Sequence, residues 1–471
     1  MSRINTNIPS IIAQRIYGKQ NDALTLSLER LSTGMRINKG KDDPAGLIAS
    51  ERMRAEMVAI QAAQRNITRA IQVVAVAESG LNEISEMMQD LEELVDLTSN
   101  ETAITDDERR ANQLEIDAIL ESIDRIANST ELQGKRLLNG DMAYTTSGVT
   151  TSQIAHLHIN SARIPHGGYR SVSIDVTQSA QLASIAYTSG TIAGSARTIE
   201  VTGNIGTERL TFASGATVAN IADAVNQSTK LTGVSAYTSG ANYVYFTSTE
   251  YGSSEFVRVR ELTGASFALT APDDTGRDAK ANINGMAATA DGLKISVRTS
   301  ALSADISLTT GFGTQTAVIS TFDVTGGGAN FMITPTLNLN ALAPIGIDQV
   351  TAASLGDGNV GFLYTLATGG TNALDTANFQ QAQTIIRAAA MQVAGLRGRL
   401  GAFEKNTLET TLNSLRVEYE NVAAAESMIR DTDFAEETAN LTRAQILVQA
   451  ASLVLGNANR APQNVLALLQ Q

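Results

Sequence analysis

The sequence predicts an α+β protein: a long antiparallel helical coiled-coil rod built from both chain ends, with a β-rich central insertion that forms one or more outer domains. Proline placement is the first observation, because none of the seven prolines falls in 45–164 or 345–461. Apolar residues recur there at helical spacing, whereas short segments of alternating polarity fill the middle of the chain. Two helical regions therefore flank a strand-rich insertion.

Composition excludes several classes of function. The 471 residues carry a formal net charge of -13 and no block of Lys and Arg, so they would repel a phosphate backbone and we expect no nucleic-acid partner. The chain has no cysteine, which removes disulfides, thiolate nucleophiles and cysteine-bound zinc. No stretch is apolar enough for a membrane span or a secretory signal. We therefore expect no membrane insertion and an export route without a cleaved signal peptide.

The first rod helix is predicted to begin at Pro44, where Asp43 can cap the helix and proline suits the first turn. Its apolar residues recur three, four and seven positions apart, which makes one continuous stripe. Unbroken from 45 to 97, this helix would be about 80 Å long at 1.5 Å per residue. The residues predicted to pack the rod on this helix are Met53, Met57, Ile60, Ile67, Ile71, Val74, Leu81, Ile84 and Leu91.

Two further helical stripes can complete the rod. One lies at 108–127, and the other lies near the opposite end of the chain. The rod-packing residues predicted on the latter are Leu396, Leu400, Phe403, Leu412 and Leu415. Three long stripes can close a bundle on one another, which joins residues far apart in sequence.

Both chain ends are helical in pattern and unusually apolar. The first segment stops at the break Ser32-Thr33-Gly34, and the last opens at Asp433 with Glu436 three residues on, a capping-box spacing. The apolar residues of the first are Ile4, Ile8, Ile11, Ile12, Ile16, Leu24, Leu28 and Leu31. Those of the last are Leu441, Ile446, Leu447, Leu453, Val454, Val465, Leu466 and Leu469. With so little core of their own, these helices should pack against other copies of the chain.

The middle of the chain, roughly 141–378, is dense in Gly, Ser and Thr and low in charge. Segments such as 171–176 and 243–247 alternate between polar and apolar residues, as strands do. A surface hairpin is predicted over 153–176. The two ends of the insertion should return to the same place on the rod, because every helix with rod periodicity lies outside it.

Both ends also resemble bacterial flagellins. LSTGMRIN at 31–38 followed by KDDPAG at 41–46 resembles the N-terminal signature of that family, and AQIL at 444–447 with PQNVL at 462–466 resembles the C-terminal one. The resemblance implies five regions. These are inner-tube helices at 1–44 and 431–471, rod helices with a β-hairpin at 45–185, variable β-rich outer domains at 186–345, and a return with its rod helix at 346–430.

The resemblance also implies what the protein does. It would be the structural subunit that assembles with itself into the extracellular flagellar filament for swimming motility. Its other partners would be an export chaperone, a cap and hook-junction proteins. Self-assembly suits the chain ends, since exposed amphipathic helices gain free energy by burying their stripes together.

Candidates for chemistry are few. His156 and His158 would share one face of a strand near His166, which could begin a zinc site, but no fourth ligand is signalled. The acidic pair Asp42-Asp43 is better explained by helix capping, and the pair at 273–274 by a turn. We therefore expect no cofactor, no metal and no enzyme activity.

One surface resembles the segment that an innate immune Toll-like receptor recognises in flagellins. The corresponding residues here are Gln89, Asp90, Leu94 and, on the next helix, Glu115. The family's basic residue is replaced by Asp90, which reverses a charge at a protein interface. We therefore predict weak stimulation of that receptor.

Two other classes of function remain open. A hook-filament junction protein would share the helical ends and bind filament ends rather than polymerise, although the wording of both terminal signatures favours flagellin. A filament-associated adhesin would place function in the middle domain alone, which would then bind its ligand when isolated.

Overall fold

The structure is a computed structural model. It describes residues 6–100, 104–165, 168–189, 196–240, 242–263, 267–316, 318–336, 338, 341–358 and 360–469, with side chains described up to residue 460. Within these ranges no helix is both long enough and apolar enough to cross a membrane.

Long helices lie toward both ends of the chain, as the proline gaps predicted. The helices are α1 (Ile8–Thr33), α2 (Pro44–Thr98), α3 (Asp106–Ser129), α4 (Val218–Gln227), α5 (Thr229–Thr232), α6 (Thr310–Gly313), α7 (Phe379–Phe403), α8 (Thr410–Arg430) and α9 (Phe434–Leu469). A π-helical segment, Glu404–Glu409, joins α7 to α8. The 55-residue α2 begins at Pro44 as predicted, and the Asp43 carboxylate accepts a hydrogen bond from the Gly46 N–H at 2.9 Å.

The described residues divide into two compact units. The first comprises 1–69, 332–337 and 408–471 and contains α1, α8, α9 and the start of α2. Here α2 and α8 run antiparallel, because the Arg430 guanidinium pairs with Glu51 at 2.9 Å while Gln61 donates to the Tyr419 hydroxyl at 3.0 Å.

The second unit comprises 70–331 and 338–407. Its helices α2 and α7 are also antiparallel, since Arg387 pairs with Glu92 at 2.7 Å and Gln383 donates to Asp96 at 2.8 Å. Of the residues predicted to pack the rod, those buried in the chain are Ile60, Ile67, Val74, Leu81, Ile84, Leu91, Leu396, Leu400 and Leu415. Half-buried are Met53, Met57, Ile71, Phe403 and Leu412.

A segment without long helices, residues 346–378, returns the chain from the strand-rich middle to α7. Three α3 side chains hold it. Gln113 donates to the Leu366 carbonyl at 2.9 Å and accepts from the Leu374 N–H at 2.8 Å. Asp117 accepts from Thr368, and Asp124 accepts from Ala352.

The insertion is built from antiparallel strands. They are β1 (Glu131–Leu132), β2 (Lys135–Arg136), β3 (Tyr144–Ser147), β4 (Ile154–Ala162), β5 (Arg170–Gln178), β6 (Ser184–Tyr187), β7 (Arg197–Thr202), β8 (Thr207–Phe212), β9 (Val234–Ser239), β10 (Tyr243–Ser248), β11 (Phe256–Thr263), β12 (Asp273–Thr275), β13 (Lys280–Ile283), β14 (Met286–Ala287), β15 (Thr289–Asp291), β16 (Lys294–Arg298), β17 (Leu302–Leu308), β18 (Ile319–Gly327), β19 (Ala329–Met332), β20 (Leu342–Ile345), β21 (Gly356–Asp357) and β22 (Gly361–Phe362).

The strands of the insertion surround two hydrophobic cores. A five-stranded sheet, β14-β13-β5-β18-β3, and a four-stranded sheet, β15-β16-β17-β4, contribute to the first core, where Val172, Ile295 and Phe322 are buried. The sheets β6-β10-β9 and β12-β11-β7-β8 contribute to the second core with α4, where Ile221 and Phe246 are buried. The predicted α+β class, with terminal helices and a β-rich insertion, is confirmed.

Two local predictions were wrong. The strands of the expected hairpin at 153–176 do not pair with each other: β4 pairs with β17, and β5 lies between β13 and β18. Both strands have apolar residues that are buried by partners distant in sequence, which local patterning does not reveal. Asp273 and Asp274 lie on β12 rather than in a turn, and the Asp274 carboxylate accepts from the Ser184 N–H at 2.8 Å.

Candidate subunit interface

Helix α1 has clear start and stop signals. The Asn7 side chain caps it by accepting from the Ser10 N–H at 3.2 Å, and a proline lies in its first turn. It ends at Thr33 because Gly34 adopts φ 71°, the left-handed conformation that glycine enters without a Cβ clash. The break predicted at 32–34 is therefore where the helix ends.

Helix α9 begins where the capping residue was predicted. The Asp433 carboxylate accepts from the N–H groups of Ala435 at 2.8 Å and Glu436 at 3.2 Å. Glu436 and Glu437 in the first turn also stabilise the helix, because their negative charges lie at the positive end of the helix dipole.

Helices α1 and α9 pack antiparallel through small side chains. The buried residues along this contact are Ala13, Ser27, Ala444 and Ala451, each exposed by 7% or less. Small side chains let two helix backbones approach closely. Fourteen residues separate Ala13 from Ser27 on α1, and seven separate Ala444 from Ala451 on α9. This heptad spacing keeps the two residues of each helix on one face. Sequence reasoning missed the small residues that make this contact because it followed the large apolar residues; the heptad spacing of Ala and Ser was the available signal.

Polar contacts fix the alignment of α1 against α9. The Asn7 side-chain amide donates to the Ala458 carbonyl at 2.8 Å, and the Ser10 hydroxyl donates to Asn459 at 2.5 Å. Near the other end, Arg30 pairs with the buried Glu437 at 3.5 Å. These contacts tie the start of α1 to a late part of α9, as an antiparallel pair requires.

The large apolar residues of the two helices point away from this contact. Ile11 is 58% exposed and Leu453 is 72% exposed. The other exposed residues from the predicted set are Ile8, Ile12, Ile16, Leu28, Ile446, Leu447 and Val454. Leu24, Leu31 and Leu441 are half-buried. Ile4 and the side chains of Val465, Leu466 and Leu469 lie outside the described residues. The helix pair therefore presents an apolar outer face to solvent.

Two chain segments connect this helix pair to α2 and α8. The Arg36 N–H donates to the Arg430 carbonyl at 2.7 Å, and the Thr432 N–H donates to the Gly34 carbonyl at 2.9 Å. The Arg36 guanidinium also donates to the Ile429 carbonyl at 2.6 Å. These bonds join the two segments side by side like a short piece of β-sheet.

Charges strengthen this connection. Hydrogen bonds from backbone N–H groups, chiefly that of Lys39, lower the pKa of Asp42. A hydrogen bond to Glu29 raises the pKa of Lys39, and the Arg430 guanidinium lowers the pKa of Glu51. These contacts favour the charged forms of Asp42, Lys39 and Glu51 near neutral pH. Asp42 has a structural role in the turn before α2.

The residues that resemble a receptor-binding surface are only partly accessible. Gln89, Asp90 and Glu115 are exposed on α2 and α3. Leu94 is only 9% exposed, because it faces inward among the packed helices. The accessible part of this surface consists of the three polar residues, and a role for Leu94 in recognition stays a prediction.

The histidine cluster offers no metal site among the described residues. His156 and His158 do share one face of β4, opposite Ser307 and Asp305 of β17, but no group of three or more His, Cys, Asp or Glu ligands is found there. His166 lies outside the described residues. His158 instead contacts Asp348 at 3.2 Å and the Arg399 guanidinium.

Two sequence profiles match the ends of the chain. The bacterial flagellin N-terminal helical region matches residues 4–143, and the bacterial flagellin C-terminal helical region matches residues 383–469. Flagellin of Salmonella typhimurium is 30% identical over 502 aligned residues, and flagellin B of Helicobacter pylori is 28% identical over 526. Each alignment covers 99% of this chain and 99% of the relative.

Solved structures show more distant likenesses. The flagellar junction protein FlgL from Legionella pneumophila aligns with 82% of this chain and 100% of its own, at 15% identity and a TM-score of 0.29. The D2-D3 domains of the flagellar cap protein FliD from Escherichia coli align with 39% of this chain and 100% of their own, at 16% identity and a TM-score of 0.26.

Proposed function

The chain belongs to the bacterial flagellin family and is a structural subunit of the extracellular flagellar filament; on that premise, we propose that the helix pair α1–α9 is the surface through which copies pack together. The observation that carries the proposal is the apolar outer face of this pair. Burying one leucine side chain contributes roughly 1.5–3 kcal/mol, so a face with many such residues favours association strongly.

A single charge on this face tests the proposal. Leu453 is 72% exposed, so Leu453→Asp leaves the isolated chain intact but places an unpaired carboxylate in the proposed contact. Leu231, on α5 of the insertion, is 61% exposed, and Leu231→Asp is the matched control. Electron microscopy after seeding with filament fragments should show filaments from the parent chain and Leu231→Asp only.

Circular dichroism and thermal unfolding must show that both variants fold like the parent chain. Filaments of ordinary length and number from Leu453→Asp would refute the proposed role of this face. A chain without residues 1–44 and 431–471 should likewise stay monomeric. If the parent chain itself forms no filament but binds the ends of existing ones, the junction-protein alternative replaces this proposal.

We also propose that the same face meets the chain's other partners. An export chaperone would cover the exposed apolar residues of α9 before assembly, and a cap and hook-junction proteins would contact the terminal helices within the flagellum. Leu453→Asp should then weaken chaperone binding measured by calorimetry, whereas Leu231→Asp should not. Equal affinity of both variants for the chaperone would contradict the proposed contact between the chaperone and α9.

The proposed weak receptor stimulation rests on Asp90, which is exposed on α2. In a reporter-cell assay with purified monomer, Asp90→Arg should stimulate the receptor more strongly than the parent chain. A full-strength response to the parent chain would refute this proposal.

A further inference from the structure

The outward face of the sheet β15-β16-β17-β4 is polar, whereas its inward face belongs to the first hydrophobic core. Strand register aligns His156, Ser307 and Lys294 in one row across three strands. The next row holds His158, Asp305 and Ser296. On the opposite face, residues such as Ile295 and Ile306 are buried. The polar face therefore forms the floor of a possible site.

A cleft of about 1030 Å³ lies over this floor. Helix α7 and the segment 344–357 form its other walls, and two contacts pin them together. Gln392 of α7 exchanges hydrogen bonds with the backbone of Gly356 at 2.9 and 3.0 Å. Arg399 of α7 pairs with Asp348 at 2.6 Å and contacts Asn160 of β4. The walls are thus held in place without a ligand, as in most small-molecule sites.

The cleft is lined by three cations, Lys294, Arg298 and Arg399, and by three carboxylates, Asp305, Asp348 and Asp357. The carboxylates of Asp305 and Asp348 are already paired, with Arg298 and Arg399 respectively, each at 2.6 Å. Lys294 has no ion-pair partner among the described residues, and the buried Nε of Arg399 makes no hydrogen bond within them. An anionic group of a ligand would give the exposed Lys294 the ion-pair partner that it lacks within the described part of the chain.

The remaining lining mixes hydroxyl and amide side chains with apolar ones, and the apolar set includes Phe362 and Phe403. Ser161, Ser303, Ser354 and Gln349 supply hydroxyl and amide groups. Hydroxyls and amides both donate and accept hydrogen bonds, which suits a ligand that carries several hydroxyl groups of its own. A purely apolar ligand would leave these groups unpaired.

We propose that this cleft binds a small polyhydroxylated carboxylate, one or two sugar rings in size, such as a uronic acid. Its carboxylate lies against Lys294, and its hydroxyls bond to the serine and amide side chains of the walls. The residues that carry this binding lie in the insertion or in α7, apart from the helix pair α1–α9 proposed for assembly.

Calorimetric titration of the full chain with glucuronate, and separately with glucose, tests the proposal. The two sugars differ only in the charged group, so glucuronate should bind at least tenfold more tightly. Lys294→Gln should remove this preference. Lys294 is exposed, so the variant should keep the thermal unfolding midpoint of the parent chain.

Lys280→Gln is the matched control, because Lys280 is an exposed lysine on β13, a strand of the other sheet. It should bind glucuronate as the parent chain does. Absence of glucuronate binding, equal affinity for glucose, or unchanged glucuronate affinity in Lys294→Gln would each overturn the proposal. Lys294→Gln should still form filaments. A loss of glucuronate binding in this variant can therefore be told apart from a failure of the proposed assembly role.

Discussion

At single positions, the terminal helices place their smallest side chains inward and their largest outward. Ala13 and Ala444 are buried at the contact of α1 with α9, while Ile11 and Leu453 face solvent. A sequence stripe of large apolar residues usually marks the inward face of a helix. Here the small residues make the contact within the chain, so the large ones remain available to other copies. Most of the large apolar side chains that sequence reasoning emphasised on these two helices are therefore not buried within the chain.

His158 gives a pH prediction at this scale. Burial lowers its pKa and nearby Arg399 lowers it further, although Asp348, Asp305 and Asn160 act in the opposite direction. The folded chain therefore binds this proton less readily than the unfolded chain, whose imidazole has a pKa near the ordinary 6.5. The contribution of neutral His158 to the free energy of unfolding is complete above pH 6.5. It is lost as the pH falls toward the lower pKa that His158 has in the folded chain.

Thermal unfolding of the parent chain and of His158→Gln between pH 7.5 and pH 5 measures this effect. The parent should lose more stability than the variant on acidification, and the difference cancels the contributions of all other titrating groups. Parallel pH profiles for the two proteins would contradict the prediction.

At the scale of elements, α3 acts as a polar support for the segment 346–378. Gln113, Asp117 and Asp124 bind backbone or hydroxyl groups of that segment. The sequence predicted a helical apolar stripe at 108–127, and Ile116 and Ile123 of this stripe are buried. It gave no sign that polar residues on the same helix hold a segment some 250 positions away in sequence.

Gln113→Leu tests this support. The substitution keeps a side chain of similar size but leaves the buried Leu366 carbonyl and Leu374 N–H without their partner, which should lower the free energy of unfolding by roughly 2–4 kcal/mol. Gln72→Leu, at an exposed position on α2, should change it by less than about 0.5 kcal/mol. Denaturant unfolding measures both, and equal stability of the two variants would show that the Gln113 contacts contribute nothing.

Across the whole molecule, the insertion contains a part with its own core and a narrow attachment. The second core, with α4 and Phe246, is separate from the first. Gln181 and Arg277 exchange two backbone hydrogen bonds of 2.9 Å where the chain enters and leaves this part. Asp278 adds a contact by accepting from Ser253 and Gly292.

Removal of residues 182–276 tests this modularity. Because Gln181 and Arg277 are already paired neighbours, a two-residue glycine linker can close the gap without strain. The shortened chain should still form filaments in electron microscopy, and the excised fragment should unfold cooperatively by itself. A shortened chain that aggregates, or a fragment without a thermal transition, would show that the two cores depend on each other.

The local sequence determined the helices, their caps and many of the strands. Asp43, Gly34 and Asp433 act through hydrogen bonds or backbone angles within a few residues, so their effects could be predicted without a fold. The terminal signatures likewise identified the family, because each is a contiguous run of residues. The strands expected at 171–176 and 243–247 are present as β5 and β10.

The tertiary structure alone decided which elements meet. Strand β4 pairs with β17 rather than with β5, because pairing depends on which distant apolar faces can be buried together. The same holds for the inward face of Leu94, the small-residue contact of α1 with α9, and the cleft that gathers β4, β17 and α7. Each joins residues far apart along the chain, and no local pattern carries that information.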